Sequence, residues 1–143
     1  MIRLKPKHLD AIRRHGEADY PHECCGLLIG RIDPDTGLKT VLETSPIINS
    51  REDEAQHNRF LITPKVLLFG EKLARSKKLD IVGFYHSHPD HPAIASPFDL
   101  DHAWPTYSYV IVSVNQGRPG DLLSWEMEED RSRFNPEPIL EGE

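Results

Sequence analysis

His86-Ser87-His88-Pro89, followed by Ser96 and Asp99, is the stretch of this chain in which residue type and spacing suggest chemistry. Two imidazoles one residue apart, with a carboxylate just downstream, can supply three protein ligands to one metal ion. On a β-strand, residues i and i+2 point to the same face, so His86 and His88 converge. Asp99 follows a loop, residues 90–95, that can turn the chain back. Two neutral imidazoles and one carboxylate suit Zn2+, although other divalent ions take the same donors. A catalytic zinc keeps its fourth position for water. The expected chemistry is metal-assisted hydrolysis.

Ser96-Pro97-Phe98-Asp99 also has the form of a helix start: Ser96 the N-cap, Pro97 the first helical residue, Asp99 an acid in the first turn. That account explains Ser96 and Asp99 without a metal, but not two histidines on one strand face. The two are compatible, because a first-turn carboxylate can point into the same cleft. His91, on the loop, and His102, one helical step after Asp99, are competing ligands that rank below Asp99. His8, His15, His22 and His57 are scattered and read as surface or boundary residues. Cys24 and Cys25 are adjacent, so they make neither a C-x-x-C site nor a disulfide framework. Cys25 reads as a small buried strand residue rather than a nucleophile.

These residues need a scaffold, and the chain predicts one of mixed α and β type. Pro6 opens a helix that runs to about Tyr20, with Leu9, Ile12 and Arg13 on its packing side, and Pro21 ends it. Residues 24–30 form an apolar strand buried on both faces. Asp33-Pro34-Asp35-Thr36-Gly37 turns the chain, and Leu38, Thr40 and Leu42 continue as the hairpin partner. Residues 49–58 read as an exposed loop and 59–62 as a short strand. Thr63 caps a second helix whose apolar positions are Val66, Leu67, Phe69, Leu73 and Ala74, with Lys77 and Lys78 at its end. Residues 79–86 form the strand that delivers the histidines. Strands over 107–114 and 122–127 follow, separated by a turn at residues 115–120. The Pro- and Glu-rich tail from about residue 135 reads as a flexible end with room for one edge strand. The expected architecture is α+β, of α/β/α type: a central mixed β-sheet flanked by helices.

With 143 residues, the chain forms one domain large enough to bury a core without staples. Hydrophobic residues at 38% and charged residues at 28% fit a globular chain rather than a disordered one. A net charge of −6 argues against general nucleic-acid binding, which needs a basic face. No apolar run is long enough for a membrane span. The N-terminal stretch has no apolar h-region or cleavage site, so a signal peptide is not expected and a reducing cytoplasm is.

The segment H-S-H-P-x6-S-x-x-D, here His86 to Asp99, resembles the signature of the JAMM (MPN+) metallopeptidases. That family's pattern adds an upstream glutamate beside a small apolar stretch, and Glu23 in Glu23-Cys24-Cys25-Gly26-Leu27-Leu28-Ile29-Gly30 matches its place. The form is similar to the stand-alone prokaryotic branch of the family. The resemblance implies one JAB/MPN metallopeptidase domain over residues 1–143, with a cytidine-deaminase-like fold. It implies His86, His88 and Asp99 as ligands of one Zn2+ per chain, Glu23 as general base, and Ser96 as a stabiliser of the oxyanion. Without it, Glu23 reads as an exposed acid before a strand and Ser96 as a cap, one hydroxyl serving one job or the other.

The implied activity is hydrolysis of a peptide or isopeptide bond after the C-terminal Gly of a ubiquitin-like or sulfur-carrier protein (ThiS, MoaD or CysO type). Its Gly-Gly tail would be held extended, by strand addition at a sheet edge. The chain is too short for the long insertions that grip polyubiquitin. The alternative is a non-catalytic MPN scaffold that binds partner proteins; such proteins usually lack a ligand, and this chain keeps all three. Nucleoside deamination fails on residues, since neither H-x-E nor P-C-x-x-C is present. An H-E-x-x-H zincin fails in the same way.

Overall fold

A computed structural model describes residues 1–47 and 63–142, with only the backbone of His102. The loop expected at 49–58, the strand at 59–62 and His57 lie outside the described residues.

Strand β1 (Ile2–Leu4) leads into helix α1 (Pro6–Asp19), then β2 (Cys25–Ile32) and β3 (Lys39–Ile47). Helix α2 (Pro64–Ser76) precedes β4 (Asp80–Pro89), and the short helix α3 (Pro97–His102) leads to β5 (Ser108–Asn115). Strands β6 (Arg118–Met127), β7 (Phe134–Glu137) and β8 (Ile139–Glu141) complete the chain. The described strands form one eight-stranded sheet in the order β7-β6-β5-β4-β2-β3-β1-β8. It is mixed: β4 runs parallel to β5, and β1 parallel to β3 and β8, while the other pairs are antiparallel. This is the expected α+β arrangement. Among the described residues no helix is long and apolar enough to cross a membrane.

Each face of the sheet has its own core. Leu9 and Ile12 of α1 pack with Ile2, Leu28, Tyr85 and Val112 on one side. Ala74 of α2 joins Leu27, Ile29, Phe84 and Tyr109 on the other. Gly26 lets the Tyr85 ring lie against β2: a Cβ there would stand 2.1 Å from a ring carbon. Gly70 does the same for α2, where a Cβ would meet Leu27 at 2.7 Å. The two sheets of side chains stay in phase only because β4 carries a bulge. Leu28 pairs with Gly83 but Ile29 with Ile81, so Val82 is an extra residue. The bulge puts Ile81 and Phe84 on the α2 side and Val82 and Tyr85 on the α1 side.

Several expectations are corrected. Phe69 is not on the packing face of α2 but 66% exposed, with Leu68 at 54%. The packing face is Val66, Leu67, Gly70, Leu73 and Ala74, the i, i+3, i+4 series that faces the sheet. His8 is buried, not peripheral, and its Nδ1 accepts the Lys5 N–H at 3.2 Å, doing the work of a cap at the start of α1. The turn after β5 needs only Gln116 and Gly117, both at positive φ, so β6 starts at Arg118. The stretch after residue 135 holds two strands rather than one: β7 pairs with β6, and β8 with β1.

Because β7 and β8 are separated only by Pro138 yet stand at opposite ends of the strand order, the sheet must curl. Lys39 of β3 spans the curl. It is buried, and its Nζ donates to Ser108 Oγ at 2.7 Å and to Glu126 at 3.3 Å, with Glu137 at 3.8 Å. A buried ammonium needs such partners, since desolvation costs far more than an unpaired charge can recover.

Candidate metal centre

β4 lies inside the sheet, between β2 and β5, and its last residues place His86 and His88 on the face away from α1. His86 is wholly buried and His88 nearly so. The chain then turns at Asp90, which has φ 59°. The Asp90 carboxylate accepts from the Tyr20 hydroxyl and from the Gln116 N–H, holding the turn to both neighbours. Along the following loop the Ser113 hydroxyl donates to the His91 carbonyl at 2.6 Å, and Trp125 Nε1 donates to the Ala93 carbonyl at 3.0 Å. Between those anchors the Pro92 carbonyl stands 2.8 Å from His88 Nδ1.

The loop ends at Ser96, the N-cap of α3. Ser96 Oγ accepts the Asp99 N–H at 3.1 Å, and the Asp99 carboxylate accepts the Ser96 N–H at 2.8 Å, a reciprocal capping box. The same carboxylate faces the histidines. Asp99 Oδ1 lies 3.2 Å from His86 Nε2, Asp99 Oδ2 lies 3.2 Å from His88 Nε2, and the two Nε2 atoms are 3.2 Å apart. Cap and cluster are thus one arrangement.

Those three distances test the fit of a metal. In a tetrahedral site with bonds of about 2.0–2.1 Å, neighbouring donor atoms stand about 3.3 Å apart. The Nε2–Nε2 separation matches that spacing, each imidazole has one Asp99 oxygen at the same distance, and one atom from each residue satisfies the grouping needed for one ion. Protonation points the same way. The Pro92 carbonyl can only accept, so a neutral His88 keeps its proton on Nδ1 and turns the Nε2 lone pair to the centre. Burial lowers the pKa of His86, against the pull of Asp99, which favours the neutral ligand form. Burial also disfavours charge on His88, but the Asp99 hydrogen bond and charge outweigh it and raise that pKa. Burial acts to raise Asp99, and the two imidazoles together hold its carboxyl well below the usual range.

A cavity of about 590 Å³ opens beside the cluster, with Glu23, His88, Ser96 and Asp99 in its wall and Ile94 and Phe98 at its apolar side. Glu23 is buried, not the exposed acid that its position before a strand suggests, and its charge contributes to raising His88. The Ser96 hydroxyl caps α3 by accepting, which leaves its hydrogen to donate elsewhere. Capping and oxyanion stabilisation therefore do not exclude one another, contrary to the sequence expectation. His91 is exposed on the cavity rim and outside the three-donor group, and the His102 side chain lies outside the described residues. Cys24 and Cys25 are buried, and burial pushes both thiols up to about 12, as inert core residues.

Residue type and spacing carry no sign of the Pro92 carbonyl, Ser113 or Trp125, which act through backbone groups and non-local contacts. Ser87 was visible between the histidines, but its partner was not.

Residues 5–128 match the family described as prokaryotic homologs of the JAB domain. The chain is 32% identical over 106 residues to the desampylase of Haloferax volcanii, covering 73% of this chain and 72% of that one. It is 31% identical over 103 residues to a probable TtuB-protein conjugate cleaving protease of Thermus thermophilus, covering 72% of this chain and 64% of the relative. The solution structure of a protein from Desulfitobacterium hafniense superposes with a TM-score of 0.84 at 30% identity, covering 100% of this chain and 94% of that one.

Proposed function

The chain belongs to the family of prokaryotic JAB-domain proteins, and we propose that it is a zinc-dependent peptidase. Its reaction is hydrolysis of a peptide or isopeptide bond after the C-terminal Gly of a ubiquitin-like or sulfur-carrier protein. The observation that carries this reading is the set of three 3.2 Å contacts among His86, His88 and Asp99, with Glu23 and Ser96 on the adjoining cavity. The names of the two relatives support the substrate class: one is a desampylase, the other a protease of TtuB-protein conjugates.

His86, His88 and Asp99 would hold the ion. When bound in such a donor set, zinc supplies Lewis acidity and makes a hydroxide nucleophile available near neutral pH. Glu23 takes the proton from the attacking water and returns it to the leaving amine. Its burial in the cavity wall keeps that exchange away from bulk solvent. Ser96 directs its hydroxyl hydrogen to the oxygen that gains charge at the scissile carbonyl; loss of one such donor typically costs about 10²–10³ in rate. Ile94 and Phe98 offer the approaching chain an apolar wall.

The test is incubation of zinc-loaded protein with a ThiS/MoaD-type carrier joined through its terminal Gly to a lysine side chain, read by intact mass. The expected result is release of free carrier by the wild type and none by Glu23→Gln at equal zinc content. Zinc-loaded protein that leaves the conjugate intact, or a Glu23→Gln variant that cleaves it normally, contradicts the reading.

A further inference from the structure

Ser87 stands between the two imidazoles, and the mechanism above gives it no task. Alternation along β4 turns its side chain to the opposite face of the sheet, where it is wholly buried. Helix α1 packs directly over it: a Cβ on Gly16 would lie 3.5 Å from the Ser87 Cβ. Ser87 Oγ accepts the Cys24 N–H at 2.8 Å, and the Ser87 N–H donates to the Cys24 carbonyl at 3.2 Å. In a regular antiparallel pair both of those bonds run from backbone to backbone. Here the registered β2–β4 pairs end at Cys25 and His86, and one position further on a hydroxyl makes the closing bond.

Cys24 is therefore gripped at its N–H and its carbonyl by one residue, and the peptide whose N–H the hydroxyl takes is the one that joins Cys24 to Glu23. The geometry points to Ser87 as the positioning residue for Glu23, its hydroxyl fixing the peptide from which the Glu23 carboxylate reaches the cavity. The inference rests on Glu23 being the general base. Glu23 precedes β2 and lies outside the registered β2–β4 ladder, so the bond to the peptide that carries it bears directly on where its carboxylate stands. A displacement of about 1 Å at a reacting group can cost about 10²-fold in rate. One dipeptide, His86-Ser87, thus serves the ligand set on one face and the base on the other.

The experiment compares wild type, Ser87→Ala, Ser87→Cys and Ser87→Thr as zinc-loaded proteins. Amide hydrogen exchange is read by NMR, and turnover on the lysine-linked ThiS/MoaD-type carrier by intact mass. In Ser87→Ala the Cys24 amide exchanges faster by about tenfold or more, while the Leu27 and Leu28 amides keep wild-type protection. The kcat falls by about 10–100-fold with KM and zinc content retained. Ser87→Cys, nearly native in volume but with a poor acceptor, behaves as alanine does and serves if alanine does not fold. Ser87→Thr, which keeps the acceptor hydroxyl, restores both readouts.

Unchanged Cys24 exchange in Ser87→Ala and Ser87→Cys overturns the inference, as does protection lost along all of β2. A freed Cys24 with normal kcat, or a rate loss that tracks zinc loss, overturns it too. Glu23→Gln separates the two readings. If that variant is inactive and Ser87→Ala is not impaired, only the positioning role falls. If Glu23→Gln turns over normally, the base assignment falls and takes this inference with it.

Discussion

Ser96 and Asp99 hold each other by two reciprocal bonds, Oγ to the Asp99 N–H at 3.1 Å and carboxylate to the Ser96 N–H at 2.8 Å. The helix cap thereby aims the third donor at the two histidines. Ser96→Ala removes the cap and the free hydroxyl hydrogen together. The expected outcome is a stability loss of about 1 kcal/mol with a fall in kcat of about 10²–10³. Denaturant unfolding and turnover measured on the same preparation check it. A stability loss with unaltered kcat assigns Ser96 to capping alone.

Asp99→Asn separates the cap from the cluster. The amide oxygen still accepts the Ser96 N–H, but the charge that faces His86 and His88 is gone. Zinc affinity should fall by more than about 100-fold, beyond what loss of an outer-sphere partner costs. The melting temperature of the metal-free protein should shift little. Competition with a chromophoric chelator gives the affinity, and zinc bound as tightly as in wild type removes Asp99 from the ligand set.

Trp125 acts at one remove. Its indole N–H holds the Ala93 carbonyl, next to the Pro92 carbonyl that orients His88. Trp125→Phe keeps most of the apolar packing and loses the donor. A fall in zinc affinity of about tenfold is expected, at the low end for outer-sphere partners. An unchanged affinity in the chelator competition shows that Ser113 and Asp90 alone suffice to hold the loop.

The cysteines supply a negative prediction. Burial, the main cause, pushes Cys24 and Cys25 up to about 12. Both therefore stay as neutral thiols at pH 8, and only pH values near 12 would ionise them in the folded protein. Iodoacetamide at pH 8 should modify neither in the native protein and both after denaturation, where thiols return to about 8.5. Mass spectrometry counts the adducts. Rapid modification of native protein with loss of activity would implicate a thiol in turnover.

The cluster was legible because its geometry is local: a period of two on one strand brings His86 and His88 together, and a cap motif announces Asp99. Helices α1 and α2 were legible for the same reason, each opening with a proline and carrying apolar residues at helical spacing. What sequence could not convey depends on non-local pairing. The bulge at Val82 is set by β2 as much as by β4. Strands β1 and β8, three residues each, exist because β1 pairs with β3 on one side and with β8 on the other. Phe69 reads as part of the packing stripe because an apolar residue one position off it has the same spacing, but it is exposed. Glu23 reads from its position before a strand as exposed, yet it is buried in the cavity wall beside His88.

The most direct test is a crystal structure of the protein grown with zinc. One ion should sit within about 2.0–2.2 Å of His86 Nε2, His88 Nε2 and a carboxylate oxygen of Asp99, with its fourth position facing the cavity of Glu23 and Ser96. Zinc bound elsewhere, or those three side chains turned apart with no ion between them, would contradict the account.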